Sequence, residues 1–166
     1  MKKASAVCNW RRQVLASSGY RELGLLEEAA QALEEIEPAA RTRNEVLGAR
    51  LDLYMAAKQW DAAAAVGHYL VKVEPGKAGW WINYANSVRQ AHTIEKAEAI
   101  LIRAREAIPH NPTVVLNLAC YASASGRIEE ARERLLEAIK LNKGVQRLAL
   151  DDEDLKPLWD WISSSE

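Results

Sequence analysis

The sequence contains no phenylalanine, so leucine, alanine, isoleucine, valine, tryptophan and tyrosine must fill any interior. It has only two cysteines, Cys8 and Cys120, far apart and at no metal-ligand spacing. That argues against a metal site and favours reduced thiols in an intracellular protein over a disulfide. Charge of one dominant sign is also missing. The 22 basic and 23 acidic residues are intermixed, and the formal net charge is −1. Without a basic patch there is no electrostatic footprint for nucleic acid or for an anionic membrane. Long hydrophobic runs are absent as well. No segment approaches the roughly 20 apolar residues of a membrane span. Behind Lys2 and Lys3, the residues Trp10, Arg11, Arg12 and Gln13 cut off any signal-peptide core. The expectation is a soluble, cytoplasmic protein with no nucleic-acid partner and no membrane insertion.

Catalytic patterns are missing too. His68, His92 and His110 are the only histidines, and there is no H-E-x-x-H, G-x-S-x-G or phosphate loop. No catalytic residue, metal site or cofactor is expected. No run of β-branched residues alternates with polar ones, so no strands are predicted.

What the chain does contain is repetition. From Gly79 to Lys143 the same plan occurs twice, 34 residues apart. Trp81, Tyr84, Ala97, Leu101, Ala104 and Pro109 fall on Val115, Leu118, Ala131, Leu135, Ala138 and Lys143. Extending the frame backwards gives columns: Ala29, Ala63, Ala97 and Ala131; Leu33, Leu101 and Leu135; Ile36, Leu70, Ala104 and Ala138. Such a fixed period marks stacked structural units. The spacing i, i+4, i+7 places these residues on one helical stripe, so each copy reads as two helices. Gly24 and Gly126 fall between the two helices, where a left-handed cap costs glycine least, with Lys58 and His92 at the matching points. Asn111-Pro112 reads as a helix start and Glu74-Pro75-Gly76 as a stop. Helices are predicted near 4–23, 25–37, 42–57, 59–73, 77–91, 94–107, 112–124 and 127–141.

With Trp81, Tyr84, Ala85, Val88, Ala97, Leu101, Ala104 and Pro109 in its third copy, and Leu118, Ala119, Gly126, Ala131, Leu135 and Ala138 in its fourth, the chain resembles the tetratricopeptide repeat. The resemblance implies an all-α fold, a right-handed α-solenoid of four helix pairs plus a C-terminal capping helix. Residues 1–166 form one domain in this reading, with repeats near 10–43, 44–77, 78–111 and 112–145 and a cap at 146–163. Copies one and two depart from the pattern: Pro38 comes early, Arg50 takes a place usually apolar, and Gly67 replaces a large residue. After Lys143 the segment Ala149 to Trp159 looks like the closing segment of some bacterial proteins of this family. Leu155, Leu158, Trp159 and Ile162 make an i, i+3, i+4, i+7 stripe, Asp154 is the expected N-cap, and Pro157 belongs in a first turn. Ser163, Ser164 and Ser165 read as a frayed tail.

The resemblance also implies that a partner lies on a concave face lined by the first helix of each pair. Three columns should point there: Leu15, Ala49, Asn83, Asn117; Ser18, Asp52, Asn86, Cys120; and Arg21, Met55, Arg89, Ser123. Asn83 and Asn117 stand out, because a carboxamide both donates and accepts and so can hold a peptide unit without reading its side chain. The competing reading is that they meet only water. Asn86, Arg89, Asp52, Met55 and Cys120 complete the candidate groove. The cations of a chaperone-tail carboxylate clamp are missing from the matching positions, Val14, Ser18, Ala49, Gly79 and Asn83, and again one repeat along. Trp81, Trp60 and Trp159 are expected in the core, while Trp10, Trp80 and Trp161 are left open between core and an exposed contact patch. The reading is therefore a non-catalytic interaction module for a protein or peptide partner. The alternatives are a small secretion or assembly chaperone that shields an apolar client segment, and a subunit of an enzyme complex with a site near Cys120. Against the last, no histidine falls on that face to activate the thiol.

Overall fold

The structure, a computed structural model, describes residues 3–164, with side chains from residue 9 onward. The side chain of Cys8, Lys2 and Ser165 fall outside that description. Among the described residues ten α-helices follow in order: α1 Lys3–Glu22, α2 Leu26–Glu34, α3 Asn44–Ala56, α4 Trp60–Val73, α5 Ala78–Ala91, α6 Ile94–Ala107, α7 Pro112–Ala124, α8 Ile128–Leu141, α9 Val145–Leu150 and α10 Trp159–Ser163. Short 3-10 helices occur at Pro38–Ala40 and Glu153–Leu158. Among the described residues there is no strand. Consecutive helices pack as pairs: α1 on α2, α3 on α4, α5 on α6 and α7 on α8. The chain forms two compact units, Met1–Glu74 and Pro75–Glu166, which divide at the predicted stop Glu74-Pro75.

The repeat columns are the core. Ala29, Ala63, Ala97 and Ala131 are all fully buried, as are Leu33, Leu101 and Leu135 and, seven residues after the alanines, Leu70, Ala104 and Ala138. Small residues in this column let the helices of a pair approach closely.

The turn inside each pair is equally regular. Gly24 and Gly126 have φ of 76° and 77°, the left-handed conformation expected of them, and Lys58 adopts it too at 56°. In all three turns the following amide reaches back five residues: Leu25 to Tyr20 at 2.9 Å, Gln59 to Tyr54 at 2.8 Å and Arg127 to Ala122 at 2.9 Å. This closes the orphan carbonyls of the first helix. The third repeat differs. His92 keeps a negative φ of −134°, and the Thr93 hydroxyl instead caps α6 by accepting from the Lys96 amide.

In unit 1, Trp10 is buried with Leu33, Ile36, Val46 and Leu53, and its ring lies near the Arg11 and Arg43 guanidiniums, 5.2 and 5.0 Å away. Arg50, in its usually apolar place, is satisfied by Glu34 at 2.8 Å. That hydrogen bond, with the Arg50 charge, holds the Glu34 carboxyl below its ordinary value. In unit 2, the Trp81 ring is buried and its Nε1–H donates to the Pro75 carbonyl at 2.8 Å. Glu98 of α6 accepts from Arg127 at 2.6 Å and from Arg134 at 2.8 Å, tying α6 to the following pair.

Candidate functional site

The closing segment decides what the first-helix face of unit 2 looks like. It is three short helical pieces, α9, Glu153–Leu158 and α10, and not one continuous helix. Pro157 fits because it lies in the 3-10 piece, just before α10 restarts the chain. Leu155, Leu158 and Ile162 are buried as the apolar stripe predicts, and Trp159 donates from Nε1 to the Ala149 carbonyl at 3.1 Å. The expected cap is corrected by two residues. Asp152, not Asp154, caps the 3-10 piece, its carboxylate accepting from the Asp154 amide at 2.9 Å. Asp154 is thereby free to turn to α5, where it takes two hydrogen bonds from Arg89, one of them 2.9 Å long.

Three predicted groove residues meet in this network. Arg89 of α5 pairs with Asp154 and lies 5.1 Å from the centroid of the Tyr121 ring. The Tyr121 hydroxyl donates to the Asn86 carboxamide oxygen at 2.7 Å. The Cys120 thiol donates to Asp152 at 3.2 Å. The hydrogen bonds from Arg89 to Asp154 hold its guanidinium more firmly protonated, against the effect of burial. Burial pushes the Cys120 thiol far up, and the Asp152 and Asp154 carboxylates push the same way. A thiol held protonated, buried and donating to a carboxylate is the reverse of an activated nucleophile. Burial likewise raises the Tyr121 phenol.

Asn83 and Asn117 occupy the same repeat position on α5 and α7, which pack against each other. Both are half-buried. The Asn117 amide nitrogen donates to the Thr113 carbonyl one turn back at 2.8 Å. The Asn83 backbone carbonyl accepts from the Ser87 hydroxyl at 2.7 Å.

Asp52 and Met55 belong to unit 1, on α3, and are half-buried. Burial raises the Asp52 carboxyl, and the Arg21 charge acts against that rise. Leu15 of the same face is 74% exposed, whereas Ala49 packs against the core. Unit 1 also holds an apolar groove of about 390 Å³ lined by Thr42, Leu47, Ala65, Val66 and Tyr69. Leu47 stands at the repeat position that Trp81 takes in the third repeat.

None of the six tryptophans is exposed. Trp10 and Trp81 are buried; Trp60, Trp80, Trp159 and Trp161 are half-buried, Trp161 with the Arg132 guanidinium 5.2 Å from its ring. Sequence reasoning missed Tyr121, Asp152 and Asp154 as parts of the face. Only the run of four acidic residues, Asp151 to Asp154, hinted at a charged contact.

No protein-family model matches this sequence, and no curated protein matches it. Among solved structures, one titled "MamA RS-1 ArsTM double mutant", of a tetratricopeptide-type protein, superposes with a TM-score of 0.66. The match covers 82% of this chain and 76% of that one at 13% sequence identity. The fold is tetratricopeptide-like. At that identity the likeness concerns the fold alone. Among the described residues no helix is long and apolar enough to cross a membrane.

Proposed function

We propose that the chain is a non-catalytic, cytoplasmic interaction module that holds an extended peptide or a helix of a partner protein across the first helices of its repeats. The observation that carries this is the placement of Asn83 and Asn117 at one repeat position on adjacent helices α5 and α7. Neighbouring helices pack about 8–10 Å apart, and an extended peptide advances about 3.3 Å per residue. Two carboxamides at that separation match backbone groups about three residues apart, which favours recognition of main chain over side chain. Asn86, Arg89 and Cys120 shape the same face through their contacts with Tyr121 and the closing segment. Asp52 and Met55 are the corresponding residues of unit 1.

The test is capture of partners from host lysate by the full-length chain beside Asn83→Ala/Asn117→Ala, with equal folding checked by circular dichroism. A partner held by the first and lost by the second supports the reading. Equal capture by both removes the carboxamides from the site.

A further inference from the structure

The acidic stretch Leu150–Asp154, which runs from the last residue of α9 through the turn Asp151-Asp152 into the start of the 3-10 piece, lies between two fully buried anchors, Ala149 and Leu155. Within it, Leu150, Asp151 and Glu153 are exposed, and Asp152 and Asp154 are half-buried. What ties the stretch to α5 and α7 is polar: the Arg89–Asp154 pair and the Cys120–Asp152 hydrogen bond. The apolar attachment of the closing segment sits outside the stretch, at Val145 and Ala149 before it and at Leu155, Leu158 and Ile162 after it. Segments held by few apolar contacts open locally, at a small fraction of the cost of global unfolding.

We propose that Leu150–Asp154 is an acidic strap over the α5/α7 face that opens while its apolar anchors stay in place, and that an acidic peptide segment of a partner then replaces Asp154 on Arg89. This rests on the reading of that face as an interaction surface. The charge argument selects the partner. When the strap leaves, Arg89 keeps its position beside the Tyr121 ring, and Tyr121 is fixed by Asn86. The guanidinium fork is then presented, already oriented, to another carboxylate. While the strap is closed, the carboxylates of Asp151, Asp152, Glu153 and Asp154 repel that same partner. One set of charges thus closes the face to an acidic segment, and its removal opens the face to one. The thiol of Cys120, beside the strap, is a donor for the second carboxylate of an Asp-x-Asp pair, the role it fills toward Asp152.

The test uses the full-length chain. By hydrogen exchange, the amides of residues 151–155 in the wild type should exchange at least about tenfold faster than the buried amides of α7, as expected for sub-global opening. High salt, about 1 M, should speed them further by screening the strap. In parallel, a fluorescein-labelled peptide of residues 149–158 is titrated against wild type, Asp152→Asn/Asp154→Asn, and the latter carrying Arg89→Ala. The strap competes in cis at high effective concentration, so the peptide should bind the double variant at least about tenfold tighter than wild type. Adding Arg89→Ala should abolish that gain. Strap amides as slow as those of α7 would overturn the proposal whether or not the double variant folds. So would equal binding to all three proteins, or equal binding of a peptide with lysine at its acidic positions. Neither readout involves Asn83 or Asn117, so loss of their effect on partner capture would sink the groove reading alone.

Discussion

The four inter-helix turns allow one prediction with its sign fixed residue by residue. Gly24, Lys58, His92 and Gly126 share a repeat position. Three of them are left-handed, and Lys58 is the one with a side chain, at φ 56°. Holding an L-residue there costs roughly 1–2 kcal/mol, and glycine gives back about 0.5–1 kcal/mol through the greater freedom of its unfolded chain. Lys58→Gly should therefore stabilise the protein by about 0.5–1 kcal/mol, or a few degrees in Tm. The Lys58 side chain is exposed, so no packing is lost with it. Gly126→Ala should destabilise by about 1 kcal/mol for the mirror reason; nothing lies within 4 Å of the added Cβ, so the loss would be conformational and not steric. His92→Gly should bring a smaller gain than Lys58→Gly, because φ there is −134° and the turn is closed by another device. Urea unfolding of the four proteins, followed by circular dichroism, reads all of this. A Lys58→Gly variant less stable than wild type would refute the reasoning, and so would a gain at His92 as large as that at Lys58.

Ala97→Leu or Ala131→Leu should overpack a fully buried helix crossing and cost roughly 1–3 kcal/mol; a loss under about 0.3 kcal/mol at both would contradict the repeat frame. Glu98→Gln should destabilise at neutral pH, since Arg127 and Arg134 both rely on its carboxylate. Burial raises the Glu98 carboxyl, but the two arginine hydrogen bonds outweigh it and leave it below the ordinary 4.5. The contribution is present in full above 4.5, so the gap between the two proteins should close as pH falls through the lowered value, read as Tm against pH. Asp52 has the opposite sign: its carboxyl is raised above the ordinary 3.8, so ionisation weakens the fold. Asp52→Asn should match wild type below 3.8 and become the more stable protein as pH rises past the raised value; a variant less stable at pH 7 would count against that reading.

The repeat positions were legible in the sequence because they are local. Ala97, Leu101 and Ala104 recur at helical spacing in one stretch of chain, and their burial follows from that stripe. The left-handed turns at Gly24 and Gly126 were legible for the same reason, since φ is set by the residue itself and its neighbours. The closing segment was legible only in its apolar stripe. Which carboxylate caps and which one pairs was not, because Asp154 and Arg89 are 65 residues apart and meet only once α5, α7 and the segment are assembled. Trp10 was equally opaque: its burial depends on Val46 and Leu53, which arrive from the next repeat. Of the candidate groove, the helices and their register could be read from periodicity. The engagement of Asn86, Arg89 and Cys120 with the chain's own Tyr121, Asp154 and Asp152 could not, since no short-range pattern encodes it.

The most direct test of the central claim is a hydrogen-exchange footprint of the full-length chain with a captured partner bound. The account predicts new protection on the first helices of unit 2, around Asn83 on α5 and Asn117 on α7, with α6 and α8 unchanged. Protection confined to α6 and α8, with α5 and α7 unaffected, would contradict it.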